Sequence, residues 1–282
     1  MSLALMAEPS ECVISPQRGV GHLALGFRVV EGVTRIERFY QDGCLKARLP
    51  RAHGGGADAV LMNISGGIAG GDELNTEIAL GPGAVASVAG QAAERVYRAL
   101  GGVPARVTTR IVLQDGAALD YLPQETILFD GFALNRALDV ELAPAARYLG
   151  VESLVFGRQA MGEQLRLGWL RDRIAIRRGG QTVITDMTRL DGDIAAQLAR
   201  PALGGGAIAM ASIIFAAPEA ADILAPARAM LAESGCEAGA SLVDGVLVAR
   251  LLAPTSQTLR REVVKFLVLC RNGRAMPGVW QG

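Results

Sequence analysis

The feature that most constrains this chain is a repeat of about 30 residues in its middle, because self-similarity at such a period marks stacked architectures. Three segments correspond: Leu80-Gly81-Pro82-Gly83-Ala84, Leu113-Gln114-Asp115-Gly116-Ala117 and Leu142-Ala143-Pro144-Ala145-Ala146. Their leucines are 33 and 29 residues apart. An alternating run precedes each of the last two turns: Val107, Thr109, Ile111 and Leu113 in one, Leu138, Val140 and Leu142 in the other. Period two means strands, and Gly-Pro-Gly, Gln-Asp-Gly and Ala-Pro-Ala are turns between them. A strand-rich repeat of this length buries its apolar face on its neighbours, so the expected fold is mainly β, a β-helix-like solenoid of stacked strands. It is expected to occupy about residues 20–200.

Each turn is followed by a glutamate and an apolar cluster: Glu94-Arg95-Val96-Tyr97, Glu125-Thr126-Ile127-Leu128-Phe129 and Glu152-Ser153-Leu154-Val155-Phe156. Counted from the repeat leucines, the glutamates lie 14, 12 and 10 residues on. All offsets are even, so an extended path would place the three carboxylates on one face, pointing inward with Val96, Ile127 and Leu154. Pro123 interrupts one of these paths. A buried carboxylate is more often one half of an ion pair than an ion-transit site, and Arg95, Arg98, Arg136, Arg147 and Arg158 are available as partners.

The stretch Gly66-Gly67-Ile68-Ala69-Gly70-Gly71-Asp72 invites comparison with phosphate-binding loops. A P-loop ends in Lys and then Ser or Thr, whereas Asp72-Glu73 follows here, and a strand rather than a helix comes next. The better reading is a coil corner in which backbones turn sharply and pack closely. Asp72 then has two readings, a turn aspartate bonded to backbone amides or a metal-facing carboxylate.

From about residue 204 the pattern changes to an α/β appendage, with no linker before it, so the chain is expected to form a single domain over residues 1–282. Ile208 to Phe215 predicts a strand. Pro218 to Glu233 predicts a helix, interrupted or restarted at Pro226. Asp244-Gly245 predicts a hairpin between Ala240–Val243 and Val246–Leu252. Ser256 to Cys270 predicts a second helix, with Ser256 as N-cap and Leu259, Val263, Phe266, Leu267 and Cys270 on its core face.

Composition narrows function. Lys+Arg and Asp+Glu both number 28 among the 282 residues, so no global field favours nucleic acid or an anionic membrane. The N-terminus carries no basic region and too short an apolar run for a signal peptide, and no stretch is long enough to span a bilayer. Cys12, Cys44, Cys236 and Cys270 are widely spaced, as expected of reduced cytoplasmic thiols rather than a structural zinc site. The two histidines, His22 and His53, are isolated; His53 precedes three glycines and reads as a loop residue. No G-x-S-x-G occurs. Paired carboxylates on a β-helix also fit a carbohydrate-active enzyme. Such enzymes use aromatic platforms and secretion, and only two Trp and four Tyr are present.

Several motifs together resemble the UreD (UreH) family of urease accessory proteins, from about Arg28 to Trp280. They are the glycine run ending in Asp72; Gln91-Ala92-Ala93 with Tyr97-Arg98; Leu122-Pro123-Gln124-Glu125 through Phe129; and Glu152 through Phe156-Gly157-Arg158 to Gly162-Glu163. The resemblance implies a β-helical, non-enzymatic protein of the cytoplasm. It implies binding to the helical partner UreF, through it to the GTPase UreG, and docking of that assembly on urease apoprotein. The expected complex is hetero-oligomeric, a dimer of UreD-UreF-UreG being one form. It implies nickel delivery, with no tightly bound cofactor and nickel only in transit through an internal tunnel. On this reading Asp72, Glu125 and Glu152, then Glu94, are the candidates for the nickel path. Gly66, Gly67, Gly70, Gly71, Gly157 and Arg158 are the structural motif, with Arg158 orienting a carboxylate.

Overall fold

The computed structural model describes residues 18–51, 55–158, 161–272 and 274–281. His53 and Cys12 lie outside these. The chain opens with β1 (Val20–Val30), β2 (Val33–Gly43), β3 (Leu45–Arg48) and β4 (Ala57–Asn63). The repeats follow as β5 (Glu73–Leu80), β6 (Val85–Gly90) and β7 (Glu94–Val96); then β8 (Ala105–Leu113), β9 (Ala118–Leu122) and β10 (Thr126–Leu128); then β11 (Phe132–Leu142) and β12 (Arg147–Phe156). The remainder is β13 (Gly168–Arg178), β14 (Gln181–Gly192), α1 (Ile194–Leu198), β15 (Ala209–Ala216), α2 (Ala220–Ala232), β16 (Glu237–Val243), β17 (Val246–Ala253) and α3 (Ser256–Cys270).

Two sheets face each other as the walls of a β-solenoid of about four turns. A seven-stranded sheet runs β14-β13-β11-β8-β5-β1-β2, and a ten-stranded sheet contains β16-β17-β15-β12-β9-β6-β4-β3 with β7 and β10 alongside. The repeat leucines stack as the spacing predicts: Leu80 pairs with Leu113 and Leu113 with Leu142 in parallel register. All three are essentially inaccessible to solvent. Burying a leucine contributes on the order of 2 kcal/mol, so this ladder is a major source of cohesion between coils. Four residues beyond each, Ala84, Ala117 and Ala146 are fully buried where the chain passes from one sheet to the other. Gly83 and Gly116 supply the left-handed backbone (φ +68° at both) that these turns need.

The C-terminal strands do not form a separate sheet. β15 adds to β12 antiparallel and β17 adds to β15, extending the ten-stranded sheet. The Asp244-Gly245 hairpin forms, with both residues left-handed (φ +47° and +74°). Helices α2 and α3 cover the outer face of this sheet, and Leu259, Val263, Phe266, Leu267 and Cys270 are buried against it. Thr255 rather than Ser256 caps α3, its hydroxyl accepting from the Thr258 amide at 3.0 Å. Pro226 is accommodated within α2 and does not divide it. The one-turn α1 was not expected from the sequence; Asp193 caps it.

Candidate functional site

The glycine run is the corner that carries the chain from β4 in one sheet to β5 in the other. Gly66, Gly67 and Gly71 are left-handed (φ +83°, +146° and +84°). A methyl group on Gly70 would meet Ala99 at 2.5 Å, and one on Gly67 would meet the Tyr97 ring at 2.4 Å. Asp72 closes the corner. It is buried, and its carboxylate accepts from the Gly19 amide at 2.7 Å and the Ala69 amide at 2.8 Å. Gly157 makes a similar left-handed turn (φ +85°) three coils on. Arg158 beside it grips Glu163 through two 3.1 Å hydrogen bonds and lies over the Phe129 ring.

Between the two sheets is a cavity of about 320 Å³. Its apolar wall includes Leu23, Leu74 and Leu138, and its rim includes Gly66 and the exposed Gln91 and Ala92. Glu94 lines it on the rim side. This carboxylate is half-buried and forms no ion pair among the described residues. Burial raises its pKa, opposed by hydrogen bonds from the Asn63 side chain and the Arg95 amide.

Deeper in the cavity, Glu152 and Arg136 are both more than nine-tenths buried. Arg136 projects from β11 and bridges the sheets. Its Nη1 lies 2.6 Å from Glu152 Oε2 on β12 and 3.1 Å from Thr126 Oγ1 on β10. Its Nε and Nη2 bind Asp172 on the neighbouring β13 at 2.9 and 2.6 Å, a bidentate pair. Burial pushes the Glu152 carboxyl up to about 7; Arg136 opposes that rise and Asp172 adds to it. The phenol of Tyr121, also on the wall, is raised by burial and then by the Glu152 charge. Next to this group the Tyr148 hydroxyl is buried without a hydrogen-bond partner among the described residues.

The expectation of three glutamates on one face is corrected by the register. Glu94 pairs with Thr126, and Thr126 with Leu154. Equivalent positions therefore lie 14, 13 and 12 residues beyond the repeat leucines, each coil dropping one residue at the corner. One residue inverts the side-chain direction. Glu94 and Glu152 face inward and share the cavity. Glu125 faces outward beneath α3, where its Oε1 lies 2.8 Å from Arg260 Nη1. Arg260 also binds the Gln124 side-chain oxygen at 2.7 Å and stacks on Trp280. Neither Asp72 nor Cys44 lines the cavity, although Cys44 lies close enough to feel the charges of both Asp72 and Glu94. Burial raises its thiol pKa.

Among the described residues, no three His, Cys, Asp or Glu side chains gather as a ready-made metal site. No helix among them is long and apolar enough to cross a membrane. Arg136 was one of several pairing candidates in the sequence, but Asp172 was not singled out. The available signal was a charge at an inward position of an otherwise apolar alternation: Leu134, Arg136, Leu138 in one strand, Leu170, Asp172, Ile174 in the next.

Comparison with known proteins places this architecture. Residues 19–281 match the family model described as UreD urease accessory protein. A Urease accessory protein UreD of Xanthobacter autotrophicus is 44% identical over 94% of this chain and 90% of its own length. One from Methylobacterium sp. is 45% identical over 94% and 95%. One from Rhizobium etli is 42% identical over 94% and 96%.

Proposed function

The chain belongs to the UreD family of urease accessory proteins, and from that premise we propose that it is a non-catalytic scaffold and metallochaperone supporting nickel insertion into urease. The observation that best supports an internal metal path is the cavity between the sheets, with one carboxylate near its rim that forms no ion pair among the described residues and one paired carboxylate inside. Passing an ion requires sites that attract it and also release it. Glu94 fits the first contact, a single carboxylate held by hydrogen bonds rather than an ion pair among the described residues, which attracts a divalent cation without enclosing it. At Glu152 an arriving ion competes with the Arg136 guanidinium, which Asp172 retains while the glutamate is occupied. Nickel is cargo here, not a resident cofactor. Asp72 and Glu125, whose oxygens are already engaged, hold the corner and the helix that frame the path. UreF, UreG through it, and urease apoprotein are the partners, assembled in the cytoplasm.

The test is deletion of this reading frame in its host, growth with nickel, and measurement of urease activity and of nickel per urease. The expected result is intact but nickel-poor urease, restored by the wild-type chain. Normal, nickel-loaded urease would refute the accessory role. Complementation with the double variant Glu94→Gln, Glu152→Gln should restore nickel loading only in part, several-fold below wild type. Full loading by a folded double variant would leave the accessory role standing and remove the cavity as the path.

A further inference from the structure

The corner next to the cavity mouth carries a second feature, an open groove of about 930 Å³ that includes Tyr97, Arg98, Phe129, Asp130, Arg158 and Arg166 in its walls. The solenoid builds it by stacking. Val96, Leu128 and Phe156 are in register, which brings the residues following each of them to one edge. Tyr97 and Phe129 meet edge to face at 5.1 Å, and the Arg158 guanidinium covers Phe129 at 4.5 Å.

The charges are unbalanced. Three arginines face two carboxylates, and both carboxylates are heavily used. Asp130 binds Arg98 at 2.7 Å and accepts from the amides of Arg166 and Leu167 at 2.8 and 2.9 Å. Glu163 binds the backbone and side chain of Arg158 and accepts from the Asp130 amide at 3.3 Å. Arg166 is exposed and forms no ion pair among the described residues. Apolar surface concentrates here too. Among the described residues six large hydrophobic side chains are more than half exposed; of these Leu100 at 64% lines the groove, and Met161 at 73% and Leu167 at 58% adjoin Gly162 and Arg166 of its lining.

We propose that this groove is the docking site for an acidic, apolar-bearing segment of a protein partner. Arginine and aromatic side chains framed by apolar ones are the composition of interface anchors, and a guanidinium without an internal partner selects a carboxylate. The Tyr97 hydroxyl donates to the Gly66 carbonyl at 2.9 Å, and Gly66 is on the cavity rim. A partner seated on the groove therefore abuts the cavity mouth.

The proposal rests on the accessory-protein reading for its choice of probes. Binding of the immobilised full-length chain to purified urease apoprotein, UreF and UreG is measured for wild type, Arg166→Glu, Leu100→Asp and the double variant. Arg189→Glu, on the exposed side of β14, is the control. The expected result is at least a tenfold loss of affinity for one of the three proteins in the double variant. Wild-type binding to that protein should weaken with added salt, Arg166→Lys should retain it, and Arg189→Glu should bind as wild type. All three altered residues are exposed, and far-UV circular dichroism checks the fold. Unchanged affinity for all three proteins overturns the proposal. So does sedimentation showing that the groove variants dissociate a dimer of this chain, which would make a second copy the occupant. Normal affinities together with nickel-poor urease in the deletion strain remove the docking site alone, whereas normal urease in that strain removes the accessory role.

Discussion

The two faces of the ten-stranded sheet use neighbouring residues for opposite ends. Tyr121, Thr126 and Glu152 point inward and line the cavity, while Asp120 and Glu125 point outward and are covered by the C-terminal layer. On the inner face, charges from both walls meet at Arg136 in an enclosed space. On the outer face, carboxylates of the solenoid fasten arginines of α3 and the residues after it: Arg260 to Glu125, and Arg271 with Arg274 to Asp120. The tail adds to this clasp, since the Trp280 indole donates to the Leu122 carbonyl at 3.0 Å. A carboxylate in this fold is thus defined less by its type than by its face and by what closes over it.

The sharpest test of the inner face is Arg136→Met. It leaves Glu152 and Asp172 buried without a cation, and breaking a buried pair from one side costs about 3–5 kcal/mol. Chemical denaturation should report that loss. A loss below about 1 kcal/mol would mean that water already reaches this cluster, and the contrast between the faces would fail.

Outer-face substitutions should cost less and act locally. Asp120→Ala strands the buried Arg271 guanidinium, though Arg271 keeps its bonds to Ser87 and the Ala275 carbonyl. The expected loss is about 2 kcal/mol, with faster amide hydrogen exchange in α3 and the tail than in β8 or β11. Arg260→Ala removes a more exposed pair and should cost only about 1 kcal/mol. Exchange that quickens equally in both sheets would show that the C-terminal layer and the solenoid open as one unit.

The sequence made the solenoid legible because its evidence is local. The Leu-turn-Ala segments report strand period and turn chemistry together, and they stack as that pattern requires. The glycine corner was legible for the same reason, since Asp72 and four glycines leave little but a tight turn. The facing of the glutamates was not legible. Ala89 pairs with Leu122 and Glu94 with Thr126, so the four residues Gly90 to Ala93 stand opposite the three residues Pro123 to Glu125, while β12 runs straight through. Such one-residue shortenings at corners invert a side chain without disturbing composition or spacing enough to be noticed. The partner of Glu125 was equally hidden, because Arg260 lies 135 residues away and comes from a helix whose docking no local pattern specifies. The joining of β15 to β12 is non-local in the same way.

The smallest predicted effect separates the two forces acting on Glu152. Its carboxyl has an ordinary value of 4.5 and is pushed to about 7 in the fold, chiefly by burial. A raised carboxyl binds its proton more tightly in the folded chain than in the unfolded one. Its contribution to stability is therefore complete below about pH 4.5 and is lost as pH rises through about 7. Glu152→Gln keeps the shape and abolishes that titration. Wild type minus variant should then show stability falling with pH across this window, and at pH 7 the substitution itself should cost less than about 1 kcal/mol, because Arg136 retains Asp172. If the difference instead rises with pH, attraction to Arg136 outweighs burial, and Glu152 is held as an ion pair like those of the outer face. A carboxylate so held would yield poorly to an arriving cation, so the sign of this slope bears on the proposed role of Glu152 in a metal path as well as on its contribution to stability.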